Sequence, residues 1–323
     1  MNRVSVFGLE PATYTRHALH GEGNQWVEKN CYIDVWIEAL HAAGLEPLAL
    51  MPFTLASDFD GDQWTFYKPP HGEIQELYGV SVQELNVYKP ILEHSLYHAG
   101  RGRLVFTEAD AFFMPDTQGT DYHTHHTKST IAIESIDVER RELRYFHNAG
   151  YYELSGDDFV KLFRLEAEPD PRFLPLFAEL AKFDRVERLP RAELAARSER
   201  LLSTWFSRRP TQNPLERHGE QFPRDIEELR AKGIDAYHAY AFASIRQCGS
   251  NFELLAAYLR WLGGPYEAAA AHFDAISLGS KAMILKGARA VSSKKPFDFS
   301  ETFRELARSW EQGIASLGEL LRA

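Results

Sequence analysis

Cys31 stands at the start of a helical pattern, directly after Asn30, and two downstream segments carry imidazoles: Tyr122-His123-Thr124-His125-His126 and His147-Asn148. A thiol becomes a nucleophile at neutral pH when a helix N-terminus and a neighbouring imidazole stabilise its thiolate. The spacing therefore suggests Cys31 as nucleophile and one of His123, His125 and His126 as base. His126 is favoured because it lies closest to a strand, where packing can lock its ring. His147 or Asn148 would then orient that ring. The same His cluster could instead hold a metal, since residues i and i+2 of an extended segment face one way. No carboxylate or cysteine completes a recognisable ligand set, so no metal is expected. The second thiol, Cys248, falls inside an apolar helical pattern and reads as core.

These groups need elements to position them. Ile33, Trp36, Ile37, Leu40 and Ala43 recur at helical spacing, Asn30 is a good N-cap, and Gly44 followed by Pro47 ends the run. Leu104 to Phe113 reads as a buried strand with Asp110 near its end. Thr130 to Ile136 and Leu143 to Phe146 read as an antiparallel hairpin joined by a charged turn. The hairpin brings His126 and His147-Asn148 to one end of a sheet. Residues 1 to 30 read as an irregular leader, and Leu48 to Leu55 and Gln63 to Tyr67 as short apolar or β-prone runs. Glu73 to Tyr78 and Val82 to Leu85 are helical or mixed, and Leu92 to Ala99 is a helix. Beyond Asp157 the pattern turns helical: Asp158 to Leu165, Arg172 to Phe183, Arg191 to Phe206, and further helices from Pro223 to Leu321. The expected fold is α+β, with an N-terminal domain over residues 1–166 and an all-α domain over 167–323.

Composition narrows the function. The 323 residues, 44% hydrophobic and 13% aromatic, suffice for two ordinary cores. A net charge of −10 argues against nucleic acid or an anionic membrane as the main partner. Two cysteines form no disulfide framework. With no charged-then-apolar leader and no run of about 18 apolar residues, a cytoplasmic location is expected.

Three segments carry a resemblance: Glu28 to Trp36, Gly119 to Lys128 and Tyr145 to Tyr152 resemble a bacterial family of unassigned function over nearly the whole chain. More distantly, the chain is similar to the papain-like cysteine acyltransferases of butirosin biosynthesis. They too have a Cys opening a helix that ends in Gly, a strand ending in an Asp, aromatic, Leu-Pro pattern echoed by Asp110 to Pro115, and a His-led strand with a charged turn. Two departures stand out: His147-Asn148 replaces an Asp, and the gap from His126 to its strand is longer. The resemblance implies a papain-like N-terminal domain and acyl transfer through a Cys31 thioester. Gln25, six residues before Cys31, would donate to the oxyanion, and Asp110, Tyr122 and Asn30 would line the substrate site. No cofactor of its own is implied, because phosphopantetheine would arrive on an acyl or aminoacyl carrier protein, and the acceptor would be a small amine. Arg185, Arg188, Arg191, Arg197, Arg200, Arg208 and Arg209 are the candidate carrier-docking charges. Hydrolysis of a peptide or amide, or binding without chemistry, is the alternative. A homodimer is compatible with either.

Overall fold

The computed structural model describes residues 3–167, 174–293 and 297–322. They form two compact units whose pieces interleave along the chain. The first takes the chain up to Gly21, Asn30–Pro47 and Pro70–Leu189; the second takes Glu22–Lys29, Leu48–Pro69 and the chain from Pro190.

The first unit is built on a seven-stranded antiparallel sheet. Its strands are β1 (Val4–Ser5), β2 (Ser81–Glu84), β3 (Arg103–Asp110), β4 (Lys128–Asp137), β5 (Glu142–His147), β6 (Gly150–Ser155) and β7 (Ala178–Lys182). Their order is β2-β7-β3-β4-β5-β6, with β1 against β4. Helix α1 (Cys31–Ala42) lies on one face of the sheet, and α2 (His71–Tyr78), α3 (Ile91–Ala99) and α4 (Asp157–Leu162) complete the unit.

Helix α1 forms where the sequence places it. The Asn30 carboxamide oxygen accepts from the amides of Tyr32 (3.1 Å) and Ile33 (3.0 Å), satisfying two of the donors that a helix start leaves open. At the other end Gly44 adopts φ +71°, and its amide and that of Leu45 return to the carbonyls of His41 and Leu40. Trp36 stacks on Phe106 of β3, ring centroids 4.4 Å apart. This contact identifies the sheet face that α1 covers. Side chains alternate along a strand, so the opposite face carries Ala109, Ile131, Ile133 and Tyr145, which pack in a second apolar cluster with Met114, Leu143 and Phe159.

Buried carboxylates tie the leader to this unit. His20 is bonded to Glu38 through Nδ1 and to Asp34 through Nε2 (3.0 Å), all three side chains being fully buried, while Tyr14 donates to Glu38 (2.5 Å). On β4, a register shift between Ile133 and Ser135 accompanies Glu134. Its carboxylate accepts from the Ser5 hydroxyl, from the amides of Phe7 and Gly8, and from Tyr151.

The second unit is helical: α5 (Arg191–Arg208), α6 (Pro214–Lys232), α7 (Ile234–Tyr240), α8 (Arg246–Leu262), α9 (Glu267–Ser292) and α10 (Ser300–Leu320), with a π-helical stretch at Ala241–Ile245. Two pieces of the N-terminal chain complete its core. Trp26 donates from Nε1 to Ser277 (3.0 Å), and Gly249 of α8 leaves room for its ring, where a Cβ would stand 2.5 Å from it. Trp64 donates to His218 Nδ1 (3.0 Å), and Tyr67 bonds Ser250 (2.7 Å).

Three sequence expectations change. A helix over Arg172 to Phe183 is replaced, where the residues are described, by strand β7; residues 172 and 173 lie outside the described residues. The alternation Ala178-Glu179-Leu180 suits a strand bonded on both edges, and β7 pairs with β2 and β3. A boundary at 166/167 would cut this strand from its sheet, and the units divide at 189/190. Residues 22–29 and 48–69, expected within the N-terminal domain, instead belong to the helical unit.

Candidate active site

Cys31 is the first residue of α1 and half-buried, its Sγ 3.7 Å from the Thr130 hydroxyl of β4. Asn30 is nearly fully buried and its carboxamide oxygen is committed to the helix cap. Its expected role in substrate binding thus gives way to a structural one.

Thr130 pairs with Glu108 and Lys128 with Asp110. By alternation from Phe106, both Glu108 and Asp110 project to the face that α1 covers, Asp110 one side-chain step beyond the Cys31–Thr130 contact, a distance of about 7 Å along the strand. His126 closes this end: its Nδ1 lies 2.7 Å from Asp110 Oδ2, and its ring stacks on Phe112 at 4.3 Å. The other Asp110 oxygen accepts from the Phe112 amide (3.1 Å). One carboxylate thus fixes both the imidazole and the turn beneath it. Because a carboxylate only accepts, Nδ1 of His126 donates to Asp110 and Nε2 is left toward solvent on a ring that is two-thirds exposed. Cys31 and His126 occupy the same face and end of the sheet without a direct hydrogen bond. Asp110, expected among the substrate contacts, is the partner of the candidate base.

The neighbouring histidines are engaged elsewhere. His123 Nε2 is 3.1 Å from Asp158, the His125 ring donates from Nδ1 to the Thr120 carbonyl (3.2 Å), and Tyr122 donates to Asp158 (2.7 Å). That last bond is the main reason the Tyr122 hydroxyl is held above the usual phenol range.

The expected third member is not here. His147 reaches the same end of the sheet, as the hairpin requires, but it shares the face of Ile131 and Tyr145, opposite α1. There its Nε2 lies 2.6 Å from Ser129 Oγ and its Nδ1 2.5 Å from Asp116 Oδ2, while Tyr145 donates to the other Asp116 oxygen. Asn148 holds φ +43° in the tight turn between β5 and β6, a conformation Asn tolerates better than most residues. Its role is in the turn. Gln25 lies in the helical unit, its amide donating to Glu253 (2.6 Å) and its carbonyl accepting from Lys281 (2.6 Å).

Cys248 is the contrasting thiol. It is fully enclosed, 3.6 Å from Ser280 Oγ, and burial pushes it up to about 12. Among the described residues no group of three or more His, Cys, Asp or Glu side chains could hold a metal ion, and no helix is long and apolar enough to cross a membrane. Of the arginine-rich segment, Arg188 donates to the Ala43 carbonyl, Arg191 lies over Trp261, Arg197 pairs with Glu193, and Arg208 and Arg209 lie over Trp205 and Phe206.

Sequence reasoning missed Thr130, Ser129 and Asp116. Ser129 and His147 could have been paired from strand alternation alone, given the register; Asp116 sits in a 3-10 turn that leaves no periodic trace.

The chain matches the DUF1839 N-terminal domain over residues 15–183 and the DUF1839 C-terminal domain over residues 191–319, and it belongs to this family. The family is one of unassigned function. No curated protein matches the chain.

Proposed function

We propose that the first unit is a papain-like cysteine acyltransferase, with Cys31 as nucleophile, His126 as base and Asp110 as the group that orients His126. The observation that carries this reading is the His126–Asp110 pair at the end of the sheet face where Cys31 opens α1. The mechanism needs a turn of the exposed His126 ring toward the sulfur, and catalytic hydrogen bonds often tighten in this way only when substrate is bound. His126 Nε2 takes the thiol proton. The Cys31 sulfur then attacks a thioester carbonyl, forming one S–C bond as the donor's S–C bond breaks, and the departing thiolate receives the proton. An amine acceptor, deprotonated by His126, captures the acyl group and returns the thiol.

The amide of Cys31, a helix-start donor that the Asn30 cap does not take, would donate to the developing oxyanion. A thioester donor suits the site because thiol exchange is near thermoneutral, which points to an acyl or aminoacyl group on a carrier's phosphopantetheine. Such chemistry belongs in a reducing compartment, in keeping with a cytoplasmic enzyme. Hydrolysis differs only in that water replaces the amine.

The test is intact-mass analysis after incubation with an acyl thioester. The expected result is a single acyl adduct on Cys31, absent in Cys31→Ala and slowed by roughly 100-fold or more in Asp110→Asn. An amine should discharge the adduct faster than water; discharge by water alone would assign a hydrolase. Absence of any adduct from acylated carriers and small thioesters would overturn the reading.

A further inference from the structure

The other face of the same sheet holds a second arrangement of catalytic type, distinct from Cys31. Ser129, His147 and Asp116 are joined in series: Ser129 Oγ to His147 Nε2 at 2.6 Å, and His147 Nδ1 to Asp116 Oδ2 at 2.5 Å. With a neutral imidazole the protons in this chain have one consistent assignment. Asp116 accepts twice, from Tyr145 through Oδ1 (2.5 Å) and from His147 Nδ1–H through Oδ2. With Nδ1 bearing the hydrogen, the lone pair of Nε2 accepts from the Ser129 hydroxyl. This is the order of roles in a nucleophilic triad, in which a carboxylate fixes the tautomer and the imidazole receives the nucleophile's proton.

The three groups are also held rigidly. Ser129 is fixed in the β3–β4 ladder opposite Ala109, and His147 ends β5 in the rung with Ile131. Asp116 lies in a turn pinned by Thr117, whose hydroxyl donates to the carbonyls of Ala111 and Met114 (2.9 Å each). The exposures of the first two members fit the roles: Ser129 retains 8% of its surface and His147 only 1%. The would-be nucleophile is thus more accessible than the imidazole that would activate it. Ala109, Ala111, Met114 and Ile131, buried on this face, give the surroundings an apolar character.

We infer that Ser129 is a second nucleophile, activated by His147 and Asp116, that accepts short apolar acyl groups from small uncharged esters. Ser129 Oγ adds to the ester carbonyl while its proton passes to His147 Nε2. Collapse breaks the acyl C–O bond, and the alkoxide leaves with that proton. Water, deprotonated by the same nitrogen, then hydrolyses the acyl-serine and restores the hydroxyl. The narrow exposure of Ser129 excludes carrier-sized donors from this site.

The experiment uses the full-length chain carrying Cys31→Ala, so that the thiol chemistry proposed above cannot contribute. A small alkyl fluorophosphonate, which loses fluoride to an activated serine, is followed by intact mass and peptide mapping. The expected result is one adduct on Ser129, absent in Ser129→Ala and formed at least 100-fold more slowly in Asp116→Asn, with p-nitrophenyl acetate turnover falling in parallel. Circular dichroism melting of each variant identifies any that has lost its fold. Should the well-folded Cys31→Ala protein carry no label on Ser129 after prolonged exposure to millimolar reagent, the proposal is wrong and the chain of bonds serves only to fix the 111–117 turn. Because Cys31 is absent throughout, either outcome leaves the acyltransfer reading to its own test.

Discussion

The two units bury a histidine in opposite electrostatic states. In the sheet unit, His20 lies between Asp34 and Glu38, and although burial favours its neutral form, the two carboxylates outweigh it and raise its basicity, while Glu38 is lowered in turn. In the helical unit, His218 stacks on Phe59 at 4.6 Å, accepts from Trp64 and bonds the Tyr240 hydroxyl (3.0 Å). Burial alone pushes it down to about 3. The lesson is that burial favours the neutral form of both histidines, and only carboxylates enclosed with one of them reverse it. One unit encloses its histidine between carboxylates, and the other encloses its histidine among neutral aromatic partners.

The most damaging way to break this contrast is to remove one charge from the sheet unit. Glu38→Ala leaves His20 with only Asp34 and strips Tyr14 and the His17 amide of their acceptor. Breaking a buried ion pair from one side costs about 3–5 kcal/mol, and urea unfolding should show that loss. A change below about 1 kcal/mol would mean the cluster contributes no net stability.

The next test sets the two histidines against each other by pH. A group lowered on folding stabilises above its unfolded value and loses that contribution as pH falls, so the contribution of His218 declines from about 6.5 and is fully lost only near 3. By pH 4.5 the loss amounts to roughly 3 kcal/mol. His20, raised on folding, stabilises below its unfolded value and loses that contribution as pH rises through its folded one. Hydrogen exchange should therefore find α6 losing protection on mild acidification while α1 keeps it, and α1 the more sensitive on raising pH. Loss in both units at the same pH would remove the distinction.

The smallest expected effect sharpens the active-site side. Asn30→Ala deletes the cap of α1 and should cost about 1 kcal/mol. It should also slow iodoacetamide alkylation of Cys31, with Cys248 unreactive in both proteins. An unchanged Cys31 rate would separate the cap from the reactivity of the thiol.

Much of the sheet unit was legible because its signals are local. Asn30 and Gly44 bracket α1, and the charged turn between Ile136 and Leu143 announces the β4–β5 hairpin. What was not legible depends on partners far along the chain. Strand β7 is identified by its neighbours rather than its composition, and Gly150–Ser155 gave no signal as β6 beyond the turn at Asn148. In the candidate site, the end of the sheet reached by His147 was correct and its face was not. That distinction depends on a register which only the assembled ladder fixes. Asp110 was noticed for its place at a strand end, yet its partner, His126, lies across a loop.

The interleaving of the units has a consequence for the chain as it is made. A ribosome that has released the first 189 residues has supplied every strand of the sheet, yet Trp26, Trp64 and Tyr67 have emerged with no cavity to enter, since Ser277, His218 and Ser250 are still to be synthesised. For that interval three large aromatic side chains are displayed to solvent on otherwise finished protein, the kind of surface that holdase chaperones bind. A gene cut at the boundary between the two family matches would make the interval permanent. Residues 190–323 made alone would have open slots where those three rings belong, and residues 1–189 made alone would keep the rings with nowhere to put them.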